Sequence, residues 1–201
     1  MLTAPDFEID LGDVERSGKI DGYGQARVLT DAELTRLFSE GFQSQRDRAL
    51  FAICFFTGCR ISEALQLRVE NLRGGLVTFP KRVVKGKVGT KQVEITPALQ
   101  FYIEAYRAEE EGDRMPQQGY LFPGRRGAKQ GYLTRAMAHQ ILNEACDRVG
   151  LEGVSTHSFR RTYITKLRDK GYSPAQIQKR TGHRRRENLM HYFDRVCGRL
   201  V

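Results

Sequence analysis

One apolar run constrains this chain more than any other feature: Leu50-Phe51-Ala52-Ile53-Cys54-Phe55-Phe56, followed at once by Thr57-Gly58-Cys59-Arg60. With its flanks the run is long enough for a helix, and seven consecutive apolar residues leave such a helix no solvent face, so it must lie at the centre of a core. Gly58 can end it in the left-handed conformation. Ser62 is then the expected cap of a following helix, which puts Arg60 in a tight joint with core on both sides and Glu63 three residues on to orient it. A cation held this way is preorganised for an anion in a manner that a surface arginine is not.

The second informative stretch is Ser155-Thr156-His157-Ser158-Phe159-Arg160-Arg161-Thr162-Tyr163, with Thr181-Gly182-His183 and Tyr192 beyond it. Taking Thr156 as N-cap, His157 and Arg160 share one face of a helix and can grip one anion together. Arginine's fork matches phosphate oxygens, and a helix N-terminus adds unpaired N–H groups. Tyrosine is a poor nucleophile at neutral pH, with a pKa near 10, so one used in catalysis needs a base and fixed positive charge about its target. A lone His-x-x-Arg is ordinarily a surface pair; the company of Arg60, His183 and Tyr192 gives this one its meaning.

These residues resemble a known set. Thr57-Gly58-Cys59-Arg60-Ile61-Ser62-Glu63 is similar to the first arginine box of the tyrosine recombinases, the phage-integrase family. His157-Ser158-Phe159-Arg160 resembles their His-x-x-Arg box and Gly182-His183 their Gly-His box, while Tyr192, nine residues after His183, falls where the family has its nucleophile. The resemblance runs from about Arg27 to the C-terminus. It implies an α+β, mainly α-helical catalytic domain with a small three-stranded antiparallel sheet over residues 27–201, preceded by residues 1–26 as an acidic, flexible arm. It also implies metal- and ATP-independent DNA strand transfer with no cofactor, Arg60, Lys87, His157, Arg160, His183 and Tyr192 being catalytic and Glu63 supporting. The family usually has a helical DNA-binding domain of about a hundred residues before this one, so 26 residues there suggest a catalytic-domain-only member.

Charge agrees with a polyanionic partner. The 201 residues carry a formal net charge of +9, and residues 1–15 hold five acids (Asp6, Glu8, Asp10, Asp13, Glu15) and no Lys or Arg, so the rest is more basic still. Cys54, Cys59, Cys146 and Cys197 lack metal-ligand spacing and read as reduced thiols, so no metal site is expected. No window reaches the ~18 apolar residues of a membrane span, and no signal-like N-terminus is present, so a cytoplasmic, nucleoid-associated protein is expected.

Along the chain, Thr30 with Glu33 forms a capping-box signature opening a helix with Leu34 and Leu37 inward. A helix from Ile61 is expected to run on through Leu65 and Leu67 to Asn71, broken by Gly74-Gly75. Residues 76–79, 82–84 and 92–95 read as strands. The basic turn Lys85-Gly86-Lys87-Val88-Gly89-Thr90-Lys91 lies before the last of them. By the resemblance it carries a catalytic lysine, with Lys87 first and Lys85 as the alternative. Thr96-Pro97 opens a helix, Thr134 caps another through Val149, and Ser173-Pro174 a third with Ile177 inward. Between them residues 117–130 form a basic loop. Lys85, Lys91, Arg125, Arg126, Lys129, Arg161, Arg184 and Arg185 are expected to meet DNA phosphates. Double-stranded DNA is the expected partner, bound as a dimer or tetramer by a chain that is a monomer when free. Two enzymatic or binding alternatives stand beside this: a type IB topoisomerase-like relaxing enzyme, and a DNA-binding protein that keeps the fold without turnover. General RNA binding is disfavoured, for no strand carries an aromatic platform.

Overall fold

The computed structural model describes residues 26–84, 89–110, 112–125, 129–182, 187–190 and 192. Eight helices and a small sheet are seen among them: α1 (Asp31–Arg36), α2 (Gln45–Thr57), α3 (Ile61–Ala64), β1 (Leu72–Arg73), β2 (Leu76–Phe79), β3 (Lys91–Glu94), α4 (Pro97–Arg107), α5 (Arg135–Arg148), α6 (Thr156–Asp169), α7 (Pro174–Thr181) and α8 (Glu187–Met190). The fold is α+β and mainly helical, as expected from the sequence.

The apolar run is the axis of the molecule. Ser44 caps α2, and Leu50 to Phe55 are all buried within it. Around α2 pack α4 and α6, whose facing aromatics close a continuous chain of rings. Phe51 stacks on Phe42 at 4.8 Å and lies 5.1 Å from Phe159 of α6, while Phe38, on a π-type turn that extends α1, meets Tyr102 of α4 at 5.0 Å. Such ring pairs contribute roughly 0.5–1.5 kcal/mol each beyond their buried area. The capping box of Thr30 and Glu33 is present and holds the entry to α1. Lys166 of α6, almost wholly buried, pairs with Asp31 and ties the first helix to the sixth.

A second, smaller cluster consists of Tyr163, Ile164, Leu167, Ile177 and Leu189, contributed by α6, α7 and α8, with Tyr172 and Tyr192 packed against it. Ser173 caps α7, Pro174 begins it, Ile177 points inward, and Gly182 ends it at φ 69°, in accord with the sequence.

Three local expectations are corrected. Residues 82–84 are not a strand: Pro80 ends β2, and the Val83 N–H donates to the Pro80 carbonyl at 2.9 Å, closing a turn. The third strand is β1, joined to β2 by Gly74-Gly75, both with positive φ, in a two-residue hairpin; the sheet order is β1-β2-β3, all antiparallel. The helix after Arg60 stops near Leu65, followed by a single 3-10 turn at Val69–Asn71. The caps also move. Arg60 rather than Ser62 is the N-cap of α3, and Ser155 rather than Thr156 that of α6.

Among the described residues no helix is long and apolar enough to cross a membrane. Cys54, Cys59 and Cys146 are buried free thiols. The acidic residues 1–15 and Cys197 lie outside the described residues.

Candidate active site

The site is built on the joint between α2 and α3. Gly58 ends α2 at φ 59°, and a Cβ there would come within 2.3 Å of the Tyr163 ring, so both backbone and space demand glycine. The turn throws Arg60 out at the N-terminus of α3. Its guanidinium meets the Glu63 carboxylate at 2.9 Å, and its own N–H donates to the other carboxylate oxygen at 3.0 Å. Glu63 is only 2% exposed. Burial works to raise its pKa, but the hydrogen bonds from the Arg60 backbone and side chain, with the charge of Arg160, outweigh burial and hold it below the usual carboxylate range. Arg60 is thereby aimed by an ionised partner while keeping some exposure.

Arg160 approaches the same turn from α6. It is 2% exposed, and its Nη1 donates to the Gly58 carbonyl at 2.5 Å. Burial, then the nearby Arg60 charge, lower its pKa to about 10, with Glu63 and Tyr192 opposing; it remains a cation at neutral pH. Two arginines 100 positions apart in sequence thus converge on one turn, with one carboxylate between them.

Tyr192 follows α8 and is set against α6, the helix that carries Arg160. It packs on the small cluster, its N–H donates to the Leu189 carbonyl at 2.9 Å, and its own carbonyl accepts from Arg168 at 3.0 Å. The Arg161 guanidinium lies 5.8 Å from its ring centroid. Arg168 is a residue the sequence reading missed. The signal was present: Arg161 and Arg168 are seven apart on α6 and so share a face. Tyr163 is different: it is 8% exposed, burial raises its pKa, and its ring is wedged against Gly58.

His157 stands exposed on the first turn of α6, three residues before Arg160. Arg125 and Lys129 are exposed on their loop. Lys85, Lys87, Arg126, His183, Arg184 and Arg185 lie outside the described residues. Lys91 does not project toward solvent as a phosphate contact would. It opens β3 with its side chain inward, 8% exposed, and its Nζ donates to the Thr57 carbonyl at 2.9 Å. Alternation offered the clue, because Lys91 shares a strand face with Val93 rather than with Gln92. Among the described residues no group of three or more His, Cys, Asp or Glu is placed to hold a metal ion.

A pair of arginines fixed on a glycine turn, with an ionised glutamate orienting one of them, defines an anion-gripping site, and Tyr192 is packed against α6, the helix that supplies Arg160. Residues 27–196 match the model of the phage integrase family. The chain belongs to that family. It is 31% identical over 171 residues to the tyrosine recombinase XerD of Mycobacterium leprae, which covers 78% of this chain and 52% of the relative. It is 30% identical over 146 residues to XerC of Anoxybacillus flavithermus, covering 69% and 46%. The chain therefore spans about half the length of these curated relatives. Among solved structures, the catalytic domain of bacteriophage HP1 integrase superposes with a TM-score of 0.61 at 21% identity, over 83% of this chain and 86% of that one. XerH bound to its difH substrate, a pre-cleavage complex, gives 0.64 at 23% identity, over 82% and 49%. These show that the fold is that of a tyrosine recombinase catalytic domain.

Proposed function

We propose that the protein is a site-specific DNA recombinase that cuts and rejoins duplex DNA through a 3′-phosphotyrosyl intermediate. The Tyr192 oxygen attacks the scissile phosphorus, the bond to the 5′ oxygen breaks, and that oxygen leaves as a hydroxyl after taking a proton. Attack by a 5′-hydroxyl from another strand reverses the step, so the bond energy is conserved and no ATP is consumed. Arg60 and Arg160 clamp the non-bridging oxygens where charge builds up. His157 and His183 manage protons and hydrogen bonds, and Lys87, with Lys85 as the alternative, protonates the leaving oxygen.

The observation that carries this reading is the convergence of Arg60 and Arg160 on the Gly58 turn, with Tyr192 packed against the same α6 helix that supplies Arg160. The complex of XerH with its difH substrate, a relative in fold, supports a DNA duplex as substrate. In this scheme residues 27–201 form the catalytic domain and residues 1–26 an acidic arm. Arg125, Arg126, Lys129, Arg184 and Arg185 hold backbone phosphates, and the active assembly is a dimer or tetramer on DNA at the nucleoid.

A nicked suicide duplex, incubated with protein and excess EDTA, tests the reading. A covalent protein–DNA adduct that survives denaturant is the expected product. A two-site exchange assay against plasmid relaxation separates recombination from topoisomerase activity, and failure to form an adduct on any duplex would leave only a binding protein.

A further inference from the structure

Lys91 is a buried cation without a place in that chemistry. Its ammonium lies 4.9 Å from the centroid of the Phe79 ring and 2.9 Å from the Thr57 carbonyl, 34 residues away. Its stem passes Gly182, where a Cβ would sit 3.6 Å from the Lys91 Cδ. One side chain thus joins the sheet, the end of α2 and the glycine that precedes His183.

The carbonyl it holds is informative. Thr57 is the last residue of α2 and Gly58 its C-cap, so both carbonyls belong to the helix end that carries partial negative charge and lacks intrahelical partners. Lys91 takes the first and Arg160 the second. Two buried cations from distant elements therefore grip consecutive carbonyls of the turn that presents Arg60. Burying Lys91 beside two arginines is costly, and an apolar residue would fill the same space at less expense. Burial, together with Arg160 and Arg60, works against its charge, while Cys59 and Glu63 favour it, and its pKa falls to about 8. Protonated, it makes the cluster of Lys91, Arg60, Arg160 and Glu63 net positive by two.

We propose that Lys91 is a positioning residue for the arginine clamp: by holding the Thr57 carbonyl it fixes the Gly58 turn, and with it the geometry in which Arg60 and Arg160 meet the scissile phosphate. It touches no DNA. The inference rests on the strand-transfer reading above, and it deepens that reading by adding a part of the clamp that lies behind the phosphate-binding surface.

The test is single-turnover cleavage of the nicked duplex by wild type and Lys91→Met, which keeps the stem and removes the ammonium. Cleavage is expected to slow by at least about tenfold, while DNA affinity and its salt dependence stay within about twofold, since no phosphate contact is lost. Two modified substrates identify the cause. A neutral methylphosphonate at the scissile position removes the charge that the clamp must bind, so the Lys91→Met defect should shrink on it. A bridging 5′-sulfur needs no proton to leave, so it should not rescue the variant. Rescue by sulfur would make Lys91 the general acid, and a salt slope flattened by about one unit would make it a phosphate contact; either result overturns the proposal, as does wild-type cleavage by a folded variant. A defect equal on phosphate and methylphosphonate would overturn it too, as the mark of a general packing loss. Should Lys91→Met fail to fold, Lys91→Leu, which also removes the donor to the Thr57 carbonyl, carries the same measurements, and Lys91→Arg, which keeps a cationic donor, is expected to restore part of the cleavage rate. If wild type itself forms no adduct, the strand-transfer reading fails and not this one alone.

Discussion

The two halves of the active site rest on unequal foundations. Arg60, Glu63 and Arg160 stand on the α2–α3 joint and α6, where Phe51, Phe55 and Phe159 are buried in the main core. Tyr192 packs on the cluster that α6, α7 and α8 form among the described residues, its carbonyl accepting from Arg168 and the Arg161 guanidinium near its ring. A clamp must be rigid to stabilise charge in the transition state, whereas a nucleophile that must approach and leave phosphorus gains from resting on a cluster separate from the one that holds the clamp. The molecule places each on the support that its task requires.

Breaking either half gives the largest effects. Tyr192→Phe is expected to abolish adduct formation on the nicked duplex while leaving DNA affinity within several-fold, because only the attacking oxygen is lost. An adduct with this variant would move the nucleophile elsewhere, and the burial of Tyr163 against Gly58 makes that residue a poor substitute. Next in size, Arg60→Ala and Arg160→Ala should each slow cleavage at least about a hundredfold, or about 2.7 kcal/mol of transition-state stabilisation. Both should also lower the melting temperature, since one leaves the buried Glu63 carboxylate without its cation and the other leaves the Gly58 carbonyl unpaired. Near-normal cleavage per folded molecule would separate these arginines from the chemistry.

The rigid half was also the more legible one. An all-apolar run ended by Gly58 dictates a buried helix and a turn, and the spacing from Gly58 to Arg60 and Glu63 then follows from helix geometry. Caps at Thr30, Thr134 and Ser173 were readable because short polar side chains there satisfy orphan N–H groups in a fixed pattern. Pairings across the sequence were not readable in this way. Gly74-Gly75 interrupts a helical pattern and makes a hairpin turn equally well, and only the presence of β2 beside Leu72 decides between them. Lys91 sits in a run of lysines that looks like a solvated hairpin tip, and what turns it inward is the Thr57 carbonyl, 34 residues earlier. Arg60's role as its own helix cap likewise depends on Glu63 being ionised and buried beneath it.

The comparison can be sharpened on its weaker side. Leu189 is fully buried, yet it lies in the small cluster. Truncating a leucine in a well-packed core costs about 2–5 kcal/mol; Leu189→Ala should instead leave the melting temperature of the main domain nearly unchanged and slow cleavage roughly tenfold, by loosening α8 beneath Tyr192. Arg168→Ala, which removes the bond to the Tyr192 carbonyl, should slow cleavage by a smaller factor, about 1 kcal/mol for one hydrogen bond from a charged donor that is partly exposed. If Leu189→Ala unfolds the whole domain in one cooperative transition, the two halves share one core and the distinction fails.

The smallest effect probes the rigid half through pH. Lys91 is held at a pKa of about 8, mainly by burial, whereas in the unfolded chain it titrates near 10.4. Between those values the unfolded state keeps a proton that the folded state has released, so stability rises with pH across that window and the gain is lost as pH falls through 8. Going from pH 7 to pH 9 the expected contribution is about 1 kcal/mol. Lys91→Met should remove it, so the quantity to measure is the wild-type minus variant difference in unfolding free energy at several pH values. Burial works against ionisation of the Cys59 thiol, but the Cys54 hydrogen bond and then the Lys91 charge outweigh it and lower its pKa, so the difference reports the coupled pair rather than the lysine alone. Arg160, lowered to about 10, moves stability in the same direction but higher in pH and is common to both proteins. A difference that stays flat from pH 7 to pH 9 would mean that Lys91 titrates as an ordinary solvated lysine, and its place behind the arginine clamp would be lost with it.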